Sequence, residues 1–414
     1  MKNPFSNYIL ITLNYWGFTI TDGALRMLVV LYFYDLGYKP LEIAVLFLFY
    51  EFFGIVTNLL GGWLGSRMGL KFTMYSGMAL QILALVMLAY NPGWLSIPFV
   101  MFAQALSGIA KDLNKMSAKA GIKLFTPGNS SSTLFKWVSV LTGSKNALKG
   151  FGFFVGGFLL RAFGFQSALY AMASGLFFVF ILTSIFLPGE WGKSKKKSKF
   201  KHLLSKKRNI NLLSGARFFL FGSRDVWFVV ALPVFLEAVL HWHHAQVGTF
   251  MAVWVIGYGV VQTLTPKLLW KSGKGSSVKN TMDGASVHTP TGKTAFYLVG
   301  LLILIPAIIA LLVWQGIALN FSVTIGLILF GIVFALNSAV HSFLILEYSD
   351  MDKVALNVGF YYMANAAGRL TGTVLSGLFY QFTGLVGCLL VSSLFLASAA
   401  LITHKLPGNQ NRIL

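Results

Sequence analysis

Cysteine and acidic residues are scarce in this chain of 414 residues, and each shortage excludes a class of function. The single cysteine, Cys388, cannot build a disulfide framework or a cysteine metal site. The sequence also lacks a phosphate-binding glycine loop, a nucleophile elbow and a pair of catalytic carboxylates. We therefore expect no catalytic residue, no metal and no cofactor, and a protein that is not an enzyme.

Hydrophobic length is what the chain has instead, with 56% hydrophobic and only 11% charged residues. Apolar runs of about 18–25 residues, each able to cross a bilayer, follow one another. This pattern predicts an all-α polytopic membrane protein with twelve transmembrane helices. The predicted spans are residues 8–34, 41–64, 72–90, 95–113, 134–160, 166–187, 212–240, 247–270, 294–314, 319–346, 355–380 and 385–404.

Basic residues concentrate in alternate loops, which explains the formal net charge of +21 by membrane orientation rather than by nucleic-acid binding. The positive-inside rule places both termini and a basic linker, residues 189–210, in the cytoplasm. The linker separates two predicted six-helix halves, residues 1–188 and 211–414, which suggests an internal duplication. We interpret the linker as a tether and topology signal, with lipid docking as the alternative.

The first span carries an acid and a base at mid-depth, Asp22 and Arg26, which share one helix face. A charge at bilayer depth costs about 2.5–3.5 kcal/mol, so this face is expected to line a polar cavity. The alternative is an internal ion pair that only fixes packing. Asp22 and Glu51 are also candidates for carrying protons, although static pairing would use the same residues.

Cations outnumber acids at membrane depth, which favours an anionic substrate. The predicted substrate-binding residues are Arg26, Lys111, Lys145, Lys149, Arg224 and Arg369. The acids predicted to form charge pairs or to couple transport are Asp22, Glu51, Asp112 and Asp225. Arg26 and Arg224 occupy corresponding spans of the two halves, where two guanidinium groups could hold a tetrahedral oxyanion. Arg369 either adds a contact or pairs with an acid.

Lys145 and Lys149 lie one turn apart on one face, and like charges so placed repel each other. A shared anion explains this pair better than a structural ion pair does. The alternatives are neutralisation by Asp112 or Glu51 from neighbouring helices, or extension of Lys145 to the membrane interface.

Several polar residues have weaker interpretations. The HWHH run at residues 241–244 resembles a metal cluster, but its predicted outer loop has no acid or cysteine at ligand spacing. A surface loop is therefore the preferred interpretation. Neutral hydrogen bonds to substrate, or between helices, could come from Asn14, Asn114, Asn146, Asn337, His341 and Asn365.

The segment after the second span, GGWLGSRMGLK at residues 61–71, resembles the signature loop of the major facilitator superfamily, G-x-L-x-D-R-x-G-R-K. Five residues match this pattern: Gly62, Leu64, Arg67, Gly69 and Lys71. Ser66 stands where the family has an aspartate, so the charge relay of the family is not carried over. The stretch GFGFFVGG, residues 150–157, predicts close helix packing and resembles a feature common in exporters of the superfamily.

Four longer stretches are similar to the ArsJ organoarsenical efflux permeases within that superfamily. They are NYWGFTITDGALRMLVVL (14–31), LFLFYEFFGIVTNLLGGWLG (46–65), QALSGIAKDLNKMSAKAGIKL (104–124) and LFKWVSVLTGSKNALKGFGFFVGG (134–157). The resemblance implies export of 1-arseno-3-phosphoglycerate across a bacterial inner membrane, which confers arsenate resistance. It also implies a functional partner, the glyceraldehyde-3-phosphate dehydrogenase that makes this ester from arsenate.

The single cysteine suits this substrate, because pentavalent arsenic is an oxyanion and not a thiolate ligand. We expect a monomeric secondary transporter in the bilayer, with protons as candidate coupling ions and no nucleic-acid partner. The alternatives are a facilitator for another organophosphate anion or for drugs, and a membrane receptor or scaffold that transports nothing.

Overall fold

The computed structural model describes residues 4–38, 43, 45–187, 189, 191–193, 207–270 and 289–408. Regular structure in these ranges is entirely helical, which confirms the predicted all-α class. The helices are α1 (Pro4–Asp35), α2 (Leu48–Met68), α3 (Leu70–Tyr90), α4 (Ile97–Phe125), α5 (Ser131–Phe186), α6 (Arg208–Phe228), α7 (Ala231–Ala238), α8 (His244–Trp270), α9 (Gly292–Trp314), α10 (Leu319–Glu347) and α11 (Val354–Thr403).

Two of these helices each contain two predicted spans. α5 bends at Gly164, where φ is 74°, and α11 bends at Gly384, where φ is 63°. Glycine adopts such positive φ values without the steric cost that a side chain would bring. Conversely, the single span predicted for residues 212–240 is divided between α6 and α7. The described helices thus account for the twelve predicted spans, and seven helical stretches are long and apolar enough to cross a membrane.

The sequence predicts a basic cytoplasmic loop with Lys115, Lys119 and Lys123 between the spans 95–113 and 134–160, and the structure corrects this prediction, because the segment is helical as far as Phe125. α4 continues to Phe125, because no proline occurs between Leu113 and Pro127. Lys115 and Lys119 therefore lie on this helix, and Lys119 is buried. Residues 194–206 of the predicted linker lie outside the described residues, as do residues 271–288 of the polar loop predicted at residues 271–293.

Contacts between residues divide the chain into two compact units. The first unit comprises Met1–Asn129, Ser144–Leu204 and Ser349–Met363, and the second comprises Ser130–Gly143, Ser205–Tyr348 and Ala364–Leu414. Within the first unit, the beginning of α11 packs on α2. A Cβ atom at Gly62 would lie 2.8 Å from the carbonyl oxygen of Ala355 and 3.0 Å from the Cα of Gly359. The halves predicted from the sequence stay a prediction.

The loop that resembles the family signature is held by backbone hydrogen bonds rather than by a charge relay. Gly69 has a φ of 101°, and the amide of Leu70 donates to the carbonyl of Trp191 at 2.9 Å. Lys71 Nζ donates to the carbonyl of Leu187 at 3.2 Å. Ser66, which replaces the family aspartate, donates to the carbonyl of Trp63 within its own helix. The segment after α5 therefore fastens this loop in the first unit.

Glycines bring α1 and α5 into close contact, as the sequence predicted for residues 150–157. A Cβ atom at Gly152 would lie 2.7 Å from the carbonyl oxygen of Ile20 and 3.2 Å from the Cα of Gly23. A Cβ atom at Gly23 would lie 2.6 Å from the carbonyl oxygen of Lys149. This approach sets the backbone of Lys149 beside the turn of α1 that carries Asp22.

Replacing Gly152 with valine should destabilise the protein, because the new side chain would push α1 away from α5. Overpacking of this kind typically costs about 1–3 kcal/mol. The matched control is Gly175→Val, since a Cβ atom at Gly175 of the same helix meets no other atom within 4 Å. Thermal unfolding in detergent should show a lower Tm for Gly152→Val only. Equal Tm values for the two variants would contradict the packing argument.

Candidate functional site

Tyr50 of α2 is the centre of a charged cluster in the first unit. Its side chain is buried, and its hydroxyl donates a hydrogen bond to Asp22 Oδ1 at 2.5 Å. Lys111 Nζ lies 3.8 Å from the centre of the Tyr50 ring, and the guanidinium carbon of Arg26 lies 4.7 Å from it. Cations over an aromatic face are attracted by its negative potential. One buried tyrosine therefore contacts an acid through its hydroxyl and two bases through its ring.

Ion pairs join α1 to α5 and to α2. Lys149 Nζ lies 3.1 Å from Asp22 Oδ2, so the Asp22 carboxylate accepts from Lys149 and from Tyr50. Arg26 Nη2 lies 3.0 Å from Glu51 Oε1. The sequence leaves open an ion pair between Asp22 and Arg26 as an alternative. In the structure, Arg26 pairs instead with Glu51 of α2.

Asp112 of α4 is shared by two lysines of the same helix. Lys111 Nζ lies 3.7 Å from Asp112 Oδ2, and Lys115 Nζ forms an ion pair with Asp112 Oδ1. Only 2% of the Asp112 side chain is exposed. A Cβ atom at Gly54 would lie 2.8 Å from Asp112 Oδ2. Because glycine has no Cβ, the Asp112 carboxylate can pack against α2 at this position.

The Tyr50 cluster, defined by Asp22, Arg26, Tyr50, Glu51, Lys111, Asp112, Lys115 and Lys149, has a surplus of positive charge. Three carboxylates meet four cations there, which leaves a formal charge of +1. Lys145, one turn before Lys149, donates to Asn146 Oδ1 at 3.2 Å. Lys149 forms its ion pair with Asp22 of α1. The alternative partners named from the sequence are Asp112 and Glu51. The shared anion stays a prediction.

A second cluster, of Arg224, Asp225 and Arg369, lies in the second unit. Asp225 is fully buried and accepts from Arg224 Nε at 2.6 Å and from Arg369 Nε at 3.0 Å. The Arg224 guanidinium carbon lies 5.0 Å from the Phe221 ring centre and 5.6 Å from that of Phe334. Arg369 pairs with an acid, and its contact with substrate stays a prediction. The Asp225 cluster also has a formal charge of +1.

Some of these charges are accessible at the surface of the protein. The side chains of Arg26, Glu51 and Arg369 are 29%, 37% and 37% exposed, whereas Asp22 is 4% exposed and Asp225 is fully buried. An exposed ionised group on a membrane-spanning helix is strongly disfavoured in lipid. The Arg26–Glu51 pair and Arg369 are therefore expected to face a water-accessible region.

Tyr50, Lys115 and Lys119 were not among the predicted site residues. Lys119 donates to the hydroxyl of Tyr362, and Lys115 Nζ lies 4.7 Å from the Tyr362 ring centre. The spacing of four between Lys111, Lys115 and Lys119 could have revealed their common helix face. No comparable signal marks Tyr50, whose contacts all come from other helices.

Comparisons with known proteins agree with this fold. The profile described as Major Facilitator Superfamily matches residues 8–335. The human organic anion transporter MFSD10 (TETRAN) is 14% identical with a TM-score of 0.70, covering 97% of this chain and 98% of that chain. A bacterial homologue of the iron transporter ferroportin, outward-facing, is 13% identical with a TM-score of 0.74, covering 98% and 99%.

The proton:xylose symporter XylE is also 13% identical with a TM-score of 0.74, covering 97% of this chain and 95% of that chain. At such identities the likeness concerns the fold alone. No curated protein matches the sequence in the same comparisons.

The Asp22–Lys149 pair can be tested by a double-mutant cycle. Lys149→Met leaves a buried carboxylate without its cation and should destabilise by about 3–5 kcal/mol. The double variant Asp22→Asn/Lys149→Met should recover most of this loss, because both charges are gone. Arg26→Met, in the more exposed pair, should cost only about 0–1 kcal/mol. Unfolding midpoints in detergent are compared for the native protein, the two single variants Asp22→Asn and Lys149→Met, the double variant and Arg26→Met. Additive effects of Asp22→Asn and Lys149→Met would refute the pair.

Proposed function

This chain belongs to the Major Facilitator Superfamily, and from that premise we propose that it exports the organoarsenical anion 1-arseno-3-phosphoglycerate by alternating access. Family and fold make it a multi-pass membrane protein and a secondary transporter rather than an enzyme. The substrate, the direction of transport and the binding residues are our proposal, as are the bacterial inner membrane, the cytoplasmic termini and the monomeric state.

The observation that carries the proposal is the surplus of cations over acids in both charged clusters. The proposed ester has a phosphate and an arsenate and no apolar bulk, so its recognition requires several bases. Without substrate, buried bases would be costly, and the carboxylates of Asp22, Asp112 and Asp225 neutralise them in part. A substrate oxyanion would compete with these carboxylates for the same cations.

The Arg26–Glu51 pair is where such an exchange is easiest. It is more exposed than the Asp22–Lys149 pair, so opening it costs less desolvation. A freed guanidinium presents parallel N–H donors that match two oxygens of a phosphate or arsenate group. Glu51, displaced from Arg26, would then be the carboxylate best placed to bind a proton, which offers a route to proton coupling.

The resemblance to the ArsJ permeases supports the choice of substrate. All eight members of the Tyr50 cluster fall within the four stretches that carry this resemblance, residues 14–31, 46–65, 104–124 and 134–157. The similarity therefore coincides with the charged centre of the first unit. Cys388 is buried in α11, which suits a pentavalent oxyanion rather than trivalent arsenic bound by thiolates.

Everted membrane vesicles can test this function directly. Glyceraldehyde-3-phosphate dehydrogenase, NAD, glyceraldehyde-3-phosphate and arsenate outside the vesicles would make the ester in place. Vesicles with the native protein should accumulate arsenic, measured by mass spectrometry. Arg26→Ala and Lys149→Ala should reduce the initial rate at least about tenfold, the loss expected when about 1.4 kcal/mol of binding is removed. Arg161→Ala, an exposed arginine of α5, is the control and should transport normally.

The double variant Asp22→Asn/Lys149→Met shows whether lost transport reflects unfolding. It should be stable and still inactive. Omitting the dehydrogenase should abolish uptake, because inorganic arsenate is not the proposed cargo. A parallel mixture with phosphate in place of arsenate makes the corresponding phosphate ester. Uptake of this ester without uptake of the arsenate ester would identify another organophosphate as the substrate. Normal arsenic uptake by Arg26→Ala and Lys149→Ala would refute the binding residues.

A further inference from the structure

A short strap follows α5 and packs within the first unit, where α3 begins and α4 ends. Its described residues are 187, 189 and 191–193, and its central residue, Trp191, is only 8% exposed. The carbonyl of Trp191 accepts from the amide of Leu70 at 2.9 Å, and its ring centre lies 5.3 Å from that of Phe125. Trp191 thus contacts the first residue of α3 and the last residue of α4.

Glycines make room for the indole and leave the strap free to bend. A Cβ atom at Gly121 of α4 would lie 2.6 Å from Cζ3 of the Trp191 ring. A Cβ atom at Gly192 would lie 2.5 Å from Leu70 Cδ1, and Gly192 has a φ of 76°. Gly189, before the tryptophan, has no other atom within 4 Å of its Cβ position. The indole therefore fills a slot on α4, with a permissive backbone on both sides of it.

Docking leaves one polar group of this tryptophan unsatisfied. Among the described residues, the buried Nε1 of Trp191 has no hydrogen-bond partner. A buried donor without an acceptor has lost its hydrogen bonds to water, and nothing replaces them. At a membrane interface, by contrast, an indole buries its ring and keeps its N–H group hydrated. The slot satisfies the ring and not the N–H group, which weakens the docked state relative to a released one.

The strap lies at the start of the connection between the two units. α5 ends at Phe186, the first unit extends to Leu204, and α6 of the second unit begins at Arg208. With Trp191 docked, the strap is part of the first unit and the connection starts after it. With Trp191 released, the connection starts directly at the end of α5. The residues of the strap, when extended, add about 20 Å to its reach.

We propose that Trp191 is a releasable latch, which is docked in the structure described here and leaves its slot when the helix bundles move during transport. Secondary transporters work largely by rocking one bundle against the other, and the chain that joins the bundles limits this movement. The loop at residues 61–71 has Ser66 where the similar family pattern has an aspartate, and the strap holds this loop through Leu70 and Lys71 instead. The latch goes beyond the proposed function and does not depend on the cargo.

Cysteine labelling shows whether the latch opens in the folded protein. Leu70 is fully buried beside Gly192, and Cys388, the single cysteine, is fully buried in α11. In detergent, Leu70→Cys in a Cys388→Ser background should react with a maleimide at least about tenfold faster than Cys388 of the native protein, because local opening precedes global unfolding. Gly121→Val fills the slot and should raise this rate further. Trp94→Ala removes an exposed tryptophan and should not change it.

Equal labelling rates for Leu70→Cys and for the native Cys388 would overturn the latch, because the strap would then open only when the protein unfolds. An unchanged rate in Gly121→Val would overturn it too. The native Cys388 serves as the control for global unfolding, and this assay requires no transport substrate.

A disulfide can hold the strap docked. A Cβ atom at Gly192 would lie 3.0 Å from Leu70 Cβ, close to the separation of about 3.5–4.5 Å that disulfides span. Everted vesicles with Leu70→Cys/Gly192→Cys in the Cys388→Ser background are oxidised before the dehydrogenase is added. Arsenic uptake should then be at least about tenfold slower than after reduction of the same vesicles, because a locked strap blocks a conformational step.

Equal uptake before and after reduction would overturn the latch. No uptake in either state, together with fast labelling of Leu70→Cys, would refute the proposed cargo and keep the latch.

Discussion

The hydrogen bond from Tyr50 to Asp22 is the interaction on which the first unit depends. It orients the Asp22 carboxylate toward Lys149 and holds the phenol ring beneath Arg26 and Lys111. Charges at this depth are not hydrated by bulk water, so each requires a partner within the protein. The close glycine contacts between α1 and α5 follow from this requirement, because a wider separation would leave Lys149 out of reach of Asp22.

Both units satisfy that requirement in the same chemical way. In each, a buried carboxylate is shared by two bases beside aromatic rings: Asp112 with its two lysines near Tyr50, and Asp225 with its two arginines near Phe221. One acid divided between two bases neutralises neither completely. Each arrangement therefore keeps a formal positive charge, which a set of one-to-one pairs would not, and this charge is the basis of the proposed anion binding.

The sequence predicted the features that depend on local pattern. Twelve spans, the helical class and the membrane-depth charges all follow from hydrophobic length and from residue type. The partners of Arg26 and Lys149 did not follow, because they lie on other helices: Arg26 meets Glu51, and Lys149 meets Asp22. The helical continuation of α4 was missed for another reason, since lysines were interpreted as loop residues although their spacing of four is that of a helix face.

Asn337 shows why a buried polar residue deserves a different interpretation from a buried charge. The charges of this protein are compensated, so their burial alone cannot separate a structural role from a binding role. An amide with neither atom satisfied has no structural compensation in the described part of the chain. Burying it there lowers stability. That cost is expected where a protein departs from the local rules of stability for its function, and not where a residue only packs.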